Sequence, residues 1–274
     1  MKKILILLVL VIAGGIFYKY LIFNVQYSIP KIQESKIDKH EVLIEEIKEM
    51  TATASGTWTM YVYRTDGGGE YGFNQNEVMP GASIMKLPAL LSIWDRVDSG
   101  QLTVDSEWKI ESADIAPGSG PMQFMKPGTL VTVERVMSEL GKKSDNTAWR
   151  MINRRIGYEE IENRIQRIGL LNTNYRELTT TPADVGKMWM YIYTRPELWG
   201  YLEDSIYEDR ISLGLPRDAR LVHKVGTDAG VWIDSGIIMG KNPFILVILN
   251  EGVDRDEAQK LVPEITRRVW ELEQ

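Results

Sequence analysis

The stretch PGASIMKLPALL, residues 80–91, sets Ser83 and Lys86 three residues apart in an otherwise apolar run. An apolar helix face excludes an unpaired ammonium, because removing it from water is costly. Either Lys86 reaches solvent, or Ser83 and Lys86 form a working pair. A serine hydroxyl is a weak nucleophile until a neighbouring base takes its proton. Lysine serves as that base only when neutral, and burial or nearby positive charge lowers its pKa toward that state. Residues three apart share one face of a helix. The helix N-terminus disfavours the protonated lysine and favours a nascent oxyanion. Ser-x-x-Lys at a helix start is therefore a nucleophile with its base.

The pattern alone is weak, since this chain holds it three times: Ser28–Lys31, Ser83–Lys86 and Ser106–Lys109. The first contains Pro30, and the third lies in VDSEWKIES, which does not read as a helix start. Only Ser83 has Pro80-Gly81 before it and an apolar helix after it. Two further elements follow in order. Ser144-Asp145-Asn146 opens a helix; taken alone, it is an ordinary N-cap. Lys224-Val225-Gly226-Thr227 ends a strand; taken alone, Lys224 is a surface lysine. The similar Lys126-Pro127-Gly128-Thr129 lies in a Pro-Gly loop before Ser144. Other chemistries fit less well. The chain has no cysteine and only His40 and His223 as histidines, with no Gly-x-Ser-x-Gly elbow. This excludes a thiol nucleophile and disfavours a Ser-His-Asp triad or a histidine-rich metal site, so no cofactor or metal is expected. Gly67-Gly68-Gly69 lacks the Lys-Ser/Thr and the helix of a phosphate loop and reads as a hairpin turn.

The elements that must position these residues follow from periodicity. Apolar residues at helical spacing predict a helix over 41–50, and WTMYVY predicts a strand at 58–63 that returns at 70–73. A helix is expected over 82–99, ended by Gly100. Helical periodicity continues over 131–140, 145–156, 158–168 and 182–193, the last with Pro182 near its start. Met188, Trp189, Met190 and Tyr191 read as core rather than as a ligand box. Strand-like runs at 221–225, 231–239 and 243–249 are separated by short turns, which implies antiparallel pairing. Asp254 and Glu257 have capping-box spacing before a final amphipathic helix. The expected fold class is α/β in the α+β sense. An antiparallel sheet is flanked by N- and C-terminal helices, with an all-helical lobe beside it.

The 274 residues carry a net charge of −6, are 44% hydrophobic and 26% charged, and so describe a globular chain with no nucleic-acid footprint. The first residues, MKKILILLVLVIAGGIFYKYLIF, form an apolar segment broken only by Lys19. It is about the ~20 residues that span a bilayer. Lys2 and Lys3 favour a cytoplasmic N-terminus, and Tyr18 and Tyr20 read as interfacial anchors. No small-x-small cleavage site follows. The expected organisation is a membrane anchor at 1–23, a polar stalk at 24–39 and a catalytic domain at 40–274. Within that domain an α/β lobe is expected at 40–80 and 216–274, and a helical lobe at 81–215. The anchor places the domain on the extracytoplasmic face, and a monomer is expected.

Ser-x-x-Lys, Ser-Asp-Asn and a Lys-x-Gly strand in this order resemble class A β-lactamases and, more broadly, the penicillin-recognising serine enzymes. The resemblance runs from about residue 41 to the end. EYGFNQNEVMPGASIMKLP, PGSGPMQFMKPGTL, KKSDNTAW, TTTP and LVHKVGT support it. It implies a β-lactamase/transpeptidase-like fold and a serine acyl-transfer enzyme acting on a β-lactam or a D-alanyl-type cell-wall peptide. By resemblance, Ser83 attacks the carbonyl, Lys86 is its base, and Ser144 passes a proton to the leaving nitrogen. Asn146 binds the substrate amide and Lys86. Lys224 faces the substrate carboxylate and holds Ser144. The backbone N–H groups of Ser83 and Thr227 form the oxyanion hole, with Gly226 at the substrate-binding strand edge.

The chain departs from the family in three places. The Glu-x-x-Leu-Asn loop that activates the deacylating water is absent from RIGLLNTNYRELTTTP, where Glu177 reads as a solvated loop charge. Val225 stands where the family has Thr or Ser, with Thr227 the candidate to compensate. No arginine lies between 231 and 240, where many class A enzymes hold a second carboxylate-binding cation. Acylation with slow release is expected. A non-hydrolytic sensor or scaffold module is the alternative.

Overall fold

The computed structural model describes residues 38–274. The expected anchor and all but the last two residues of the expected stalk lie outside the described residues. Among the described residues no helix is long and apolar enough to cross a membrane.

The domain starts with helix α1 (Lys39–Ala52) and strands β1 (Thr57–Arg64) and β2 (Gly69–Phe73). Asp66 turns this hairpin by accepting the Gly68 N–H at 2.8 Å. Near the chain's end come β7 (Arg220–Asp228), β8 (Val231–Met239), β9 (Phe244–Glu251) and helix α7 (Arg255–Glu273). These five strands form one antiparallel sheet in the order β2-β1-β9-β8-β7. Alternation along a strand sends successive side chains to opposite faces. Met60 and Val62 of β1 thus join Ile47 of α1 and Val262, Ile265 and Val269 of α7 in one core. Tyr61, between them, joins the other core with Val247, Leu249, Trp189 and Leu90.

The second core lies between that sheet face and the segment that joins β2 to β7. That segment contains α2 (Lys86–Asp98), α3 (Val133–Lys142), α4 (Asn146–Ile156), α5 (Tyr158–Arg167) and α6 (Pro182–Tyr193). Short strand pairs brace them: β3 (Met79–Pro80) with β6 (Thr179–Thr180), and β4 (Glu107–Lys109) with β5 (Leu130–Thr132). Residues 86–93 of α2 are all buried, so this helix is wrapped by its neighbours rather than lying on the surface. Met188 and Trp189 of α6 are core, as expected, and the Trp189 indole donates to Ser235 Oγ at 2.9 Å.

Three local expectations change. Residues 82–85 form a 3-10 turn before α2 rather than the first turn of one continuous helix. Val131 belongs to β5, so the following helix starts two residues later than its periodicity suggested. The final helix has half of the expected capping box. Asp254 accepts the N–H groups of Asp256 and Glu257 at 2.9 and 3.1 Å. Glu257, however, turns to Ser55, taking its N–H at 2.8 Å and its hydroxyl at 2.5 Å. A long-range acceptor role here outcompetes the local reciprocal bond.

Candidate active site

Ser83 sits in the 3-10 turn and Lys86 is the first residue of α2. In a 3-10 turn residues i and i+3 eclipse, which sets Ser83 and Lys86 on one side of the chain, although the hydrogen bonds of Lys86 go to Ser144 and Asn146 and not to Ser83. Ala82, just before the serine, has φ +41°, a left-handed conformation that costs energy for any residue with a Cβ. Ser83 is half-buried, whereas Lys86 is only 3% exposed. The Lys86 ammonium donates to Ser144 O, to Ser144 Oγ at 3.0 Å and to Asn146 Oδ1 at 2.7 Å. Burial pushes its pKa down to about 7, against the opposing pull of the Asp145 charge. A lysine that is half neutral near pH 7 is suited to accept a proton.

Ser144 has φ +53° and carries the turn that starts α4. Asp145 caps that helix through the Ala148 N–H at 2.9 Å and also takes the Met122 N–H at 2.8 Å. The cap is fully buried, and desolvation raises its pKa. Segment 118–120 closes over the turn. The Asn146 N–H donates to Ser119 O at 3.0 Å and its Nδ2 to Pro117 O at 2.8 Å. Gly120, at φ +88°, lies so close to the Asp145 carboxylate that a Cβ there would overlap it. Asn146 is thus fixed from both sides, with its oxygen on Lys86 and its nitrogen on a backbone carbonyl.

The third element is the edge strand β7, which packs on the 3-10 turn. Gly226 allows that approach, because a Cβ there would stand 3.1 Å from Ala82 Cβ and 2.7 Å from the Ile233 side chain. Lys224 is 2% exposed and donates to Val225 O at 3.2 Å. The reading of Lys224 as a surface lysine therefore fails. The expected grip on Ser144 is not among its hydrogen bonds, and it is Lys86 that holds Ser144. Burial and the Lys86 charge hold the Lys224 pKa well below the ordinary lysine value.

A residue that the motifs do not reveal completes this strand edge. Arg210, 1% exposed, donates through Nη1 to Gly226 O at 2.8 Å and Ile233 O at 2.7 Å, and through Nη2 to Thr227 Oγ1 at 2.6 Å. Its guanidinium lies over the Trp232 ring, 3.8 Å from the centroid. Arg210 is thus a buried cation on the cleft wall that comes from a segment before β7 and not from residues 231–240. Because Thr227 accepts from Arg210, its own hydroxyl proton is left to donate. Val225, two residues earlier on the same strand face, has no such donor.

Ser83, Ser144, Val225, Thr227 and Arg210 line one cleft of about 270 Å³, together with Ser119, Tyr207, Asp209, Trp232 and Arg255. Two basic groups and three serines suit an anionic acyl donor. Asp209 is the single carboxylate on this wall. The loop at 168–178 contributes none: Glu177 is exposed, as expected. Asn174 and Thr179 close this loop by exchanging backbone bonds at 2.9 and 3.1 Å, and Leu178 O takes the Gly81 N–H at 2.7 Å. Among the described residues no group of three or more His, Cys, Asp or Glu side chains is placed to hold a metal.

A family model described as the β-lactamase enzyme family matches residues 42–272. β-Lactamase VEB-1 of Pseudomonas aeruginosa is 24% identical over 236 residues, covering 72% of this chain and 79% of that protein. Among solved structures, a mutant of PBP-A captured as an acyl-enzyme complex with penicillin G superposes with a TM-score of 0.79 at 24% identity. That match covers 85% of this chain and 96% of the other. A β-lactamase from Sphaerobacter thermophilus gives 0.78 at 21% identity, covering 86% and 98%. At these identities the structural likeness is one of fold.

Proposed function

Because this chain belongs to the β-lactamase enzyme family and is a serine hydrolase of that kind, we propose that Ser83 is acylated by β-lactams or D-alanyl-type cell-wall peptides and that release of the acyl group is slow. The observation that carries this reading is Lys86: buried, lowered to about pKa 7, and bonded to both Ser144 and Asn146. Neutral Lys86 takes the Ser83 proton as Oγ attacks the carbonyl carbon. The N–H groups of Ser83 and Thr227 receive the oxyanion, a donor pair in which each member is worth about 3 kcal/mol in the transition state. As the carbon–nitrogen bond breaks, Ser144 gives its proton to the leaving nitrogen and recovers one from Lys86. Asn146 orients the substrate amide. Thr227 and Arg210, both on the cleft wall, face the substrate carboxylate, whereas Lys224 is buried and does not line the cleft. Water must then attack the ester, and no carboxylate of the 168–178 loop lies on the cleft to activate it.

Residues 1–23 tether the enzyme, in this reading, with the catalytic domain outside the cytoplasm. Fractionation of the full chain and of a version starting at residue 38 tests this, since only the former is expected with membranes.

An intact-mass time course with a penicillin and a cephalosporin, run beside Ser83→Ala, tests the chemistry. A long-lived adduct on the native protein and none on Ser83→Ala is the expected result. Rapid drug consumption with only a transient adduct overturns slow release. Absence of both adduct and consumption overturns the β-lactam reading and leaves peptides as substrates to try.

A further inference from the structure

One face of the sheet beside the cleft carries a buried charged pair that the acylation chemistry leaves unused. His223, Val225 and Thr227 alternate along β7, and their neighbours across the ladder are Gly236, Asp234 and Trp232 of β8. His223 is therefore a diagonal neighbour of Asp234, with Nδ1 at 3.0 and 3.1 Å from the two carboxylate oxygens. Its other nitrogen, Nε2, stands 3.4 Å from Glu208 Oε1, an ion-pair distance rather than a well-formed hydrogen bond. Neither His223 nor Asp234 lines the cleft. An Asp-His pair thus exists in this fold, but its free nitrogen meets Glu208 and not Ser83.

The partners of this pair bracket Arg210. Glu208 lies two residues before it, and Asp234 Oδ2 also accepts the N–H of Ile211, one residue after it, at 3.2 Å. The segment that carries the arginine is held at both sides by one buried pair. Between the two holds the guanidinium runs along the same sheet face to Thr227, with Trp232 beneath it. Other contacts act on the stretch as well: the Leu213 N–H donates to Arg210 O at 3.1 Å, Arg210 Nε stands 3.5 Å from Asp209 Oδ1, and Tyr207 is bonded to Ser205 and Lys143.

We propose that His223 is a positioning residue for substrate recognition: by ion pairing with Glu208 while its partner Asp234 accepts the Ile211 N–H, it sets Arg210 at the Thr227 end of the cleft. This rests on the reading of Arg210 as a partner of the substrate carboxylate. The charge state agrees with the geometry. Burial opposes the imidazolium, but the Asp234 and Glu208 carboxylates outweigh it and push the His223 pKa up to about 9. These two are the charged groups facing the ring, and Glu208 is held below its ordinary value by the same contact. His223 is then a cation at neutral pH, and Asn at this position keeps a similar shape without the charge.

The test compares acylation rates for benzylpenicillin and its methyl ester, which lacks the carboxylate charge, in the full chain. His223→Asn is expected to slow the acid by about 10-fold or more and the ester less than 2-fold, since removing one member of a buried charge pair frees the other. In the native enzyme the acid-to-ester ratio is expected to fall as pH rises through about 9. Arg210→Ala gives the same selectivity, and the double variant is no worse than Arg210→Ala alone. A crystal structure of His223→Asn is expected to show Arg210 withdrawn from Gly226 O and Thr227. Equal effects on acid and ester, or an unmoved Arg210, overturn the proposal. If Arg210→Ala itself shows no selectivity, or no β-lactam reacts, the reading of Arg210 fails and the crystal structure alone judges His223. Glu208→Gln, at a half-exposed side chain, repeats both measurements if His223→Asn does not fold.

Discussion

Lys86 shows how one side chain links burial to reactivity. Its pKa is depressed, so the neutral form dominates above about 7 and the protonated form below it. Acylation is therefore expected to rise with pH through about 7 and then level off, as read from single-turnover rates. Lys86→Met should lose roughly 10²- to 10⁴-fold at every pH, the usual worth of a positioned base. Stability should move with the same group. Between about 7 and the ordinary lysine range the unfolded chain holds a proton that the folded one lacks, so stability grows as pH rises through that window. Ser83, Lys86, Ser144 and Asn146 were legible because each lies in a short motif whose spacing has a mechanical meaning. Arg210 was not. It has no motif around it, and its role depends on reaching Thr227, seventeen residues later in the chain, across a strand edge. The buried state of Lys224 was likewise invisible, because a lone lysine in a strand reads the same whether its face is covered or wet.

At the scale of elements, the site is the meeting of a 3-10 turn, a helix cap and an edge strand. Each is held by a close backbone approach. Gly120→Ala is the sharpest probe, since a Cβ at φ +88° is strained and collides with the Asp145 carboxylate. Destabilisation of about 1–3 kcal/mol is expected from denaturant melts. Acylation should fall further than stability does, because the displaced cap carries Ser144 and Asn146 with it. The sheet and most helices were legible from periodicity, which reports the buried face directly. The exceptions have physical causes. The 3-10 turn before Lys86 shares its apolar pattern with an α-helix, and only backbone geometry separates them. Glu257 abandons its local cap for Ser55, a partner about two hundred residues away that no window of sequence contains.

For the molecule as a whole, the sheet is built from both ends of the domain, and the helical lobe is inserted between β2 and β7. β1 pairs with β9, and α1 packs on α7. His40 near the start stands 3.4 Å from Glu273 near the end, and Glu273 also accepts from Tyr71 at 2.9 Å and pairs with Arg64 at 3.2 Å. The beginning and the end of the catalytic domain are thus neighbours in space. The linear order of its genetic message is then a matter of choice rather than of architecture. A rearranged gene that joins Gln274 to Lys39 through a short flexible linker, and opens new ends at the exposed tip of the 168–178 loop, should preserve every strand pairing. Its product is expected to acylate at close to the native rate, with an altered folding rate, because the sheet's outer and inner strands would then be synthesised as one uninterrupted run.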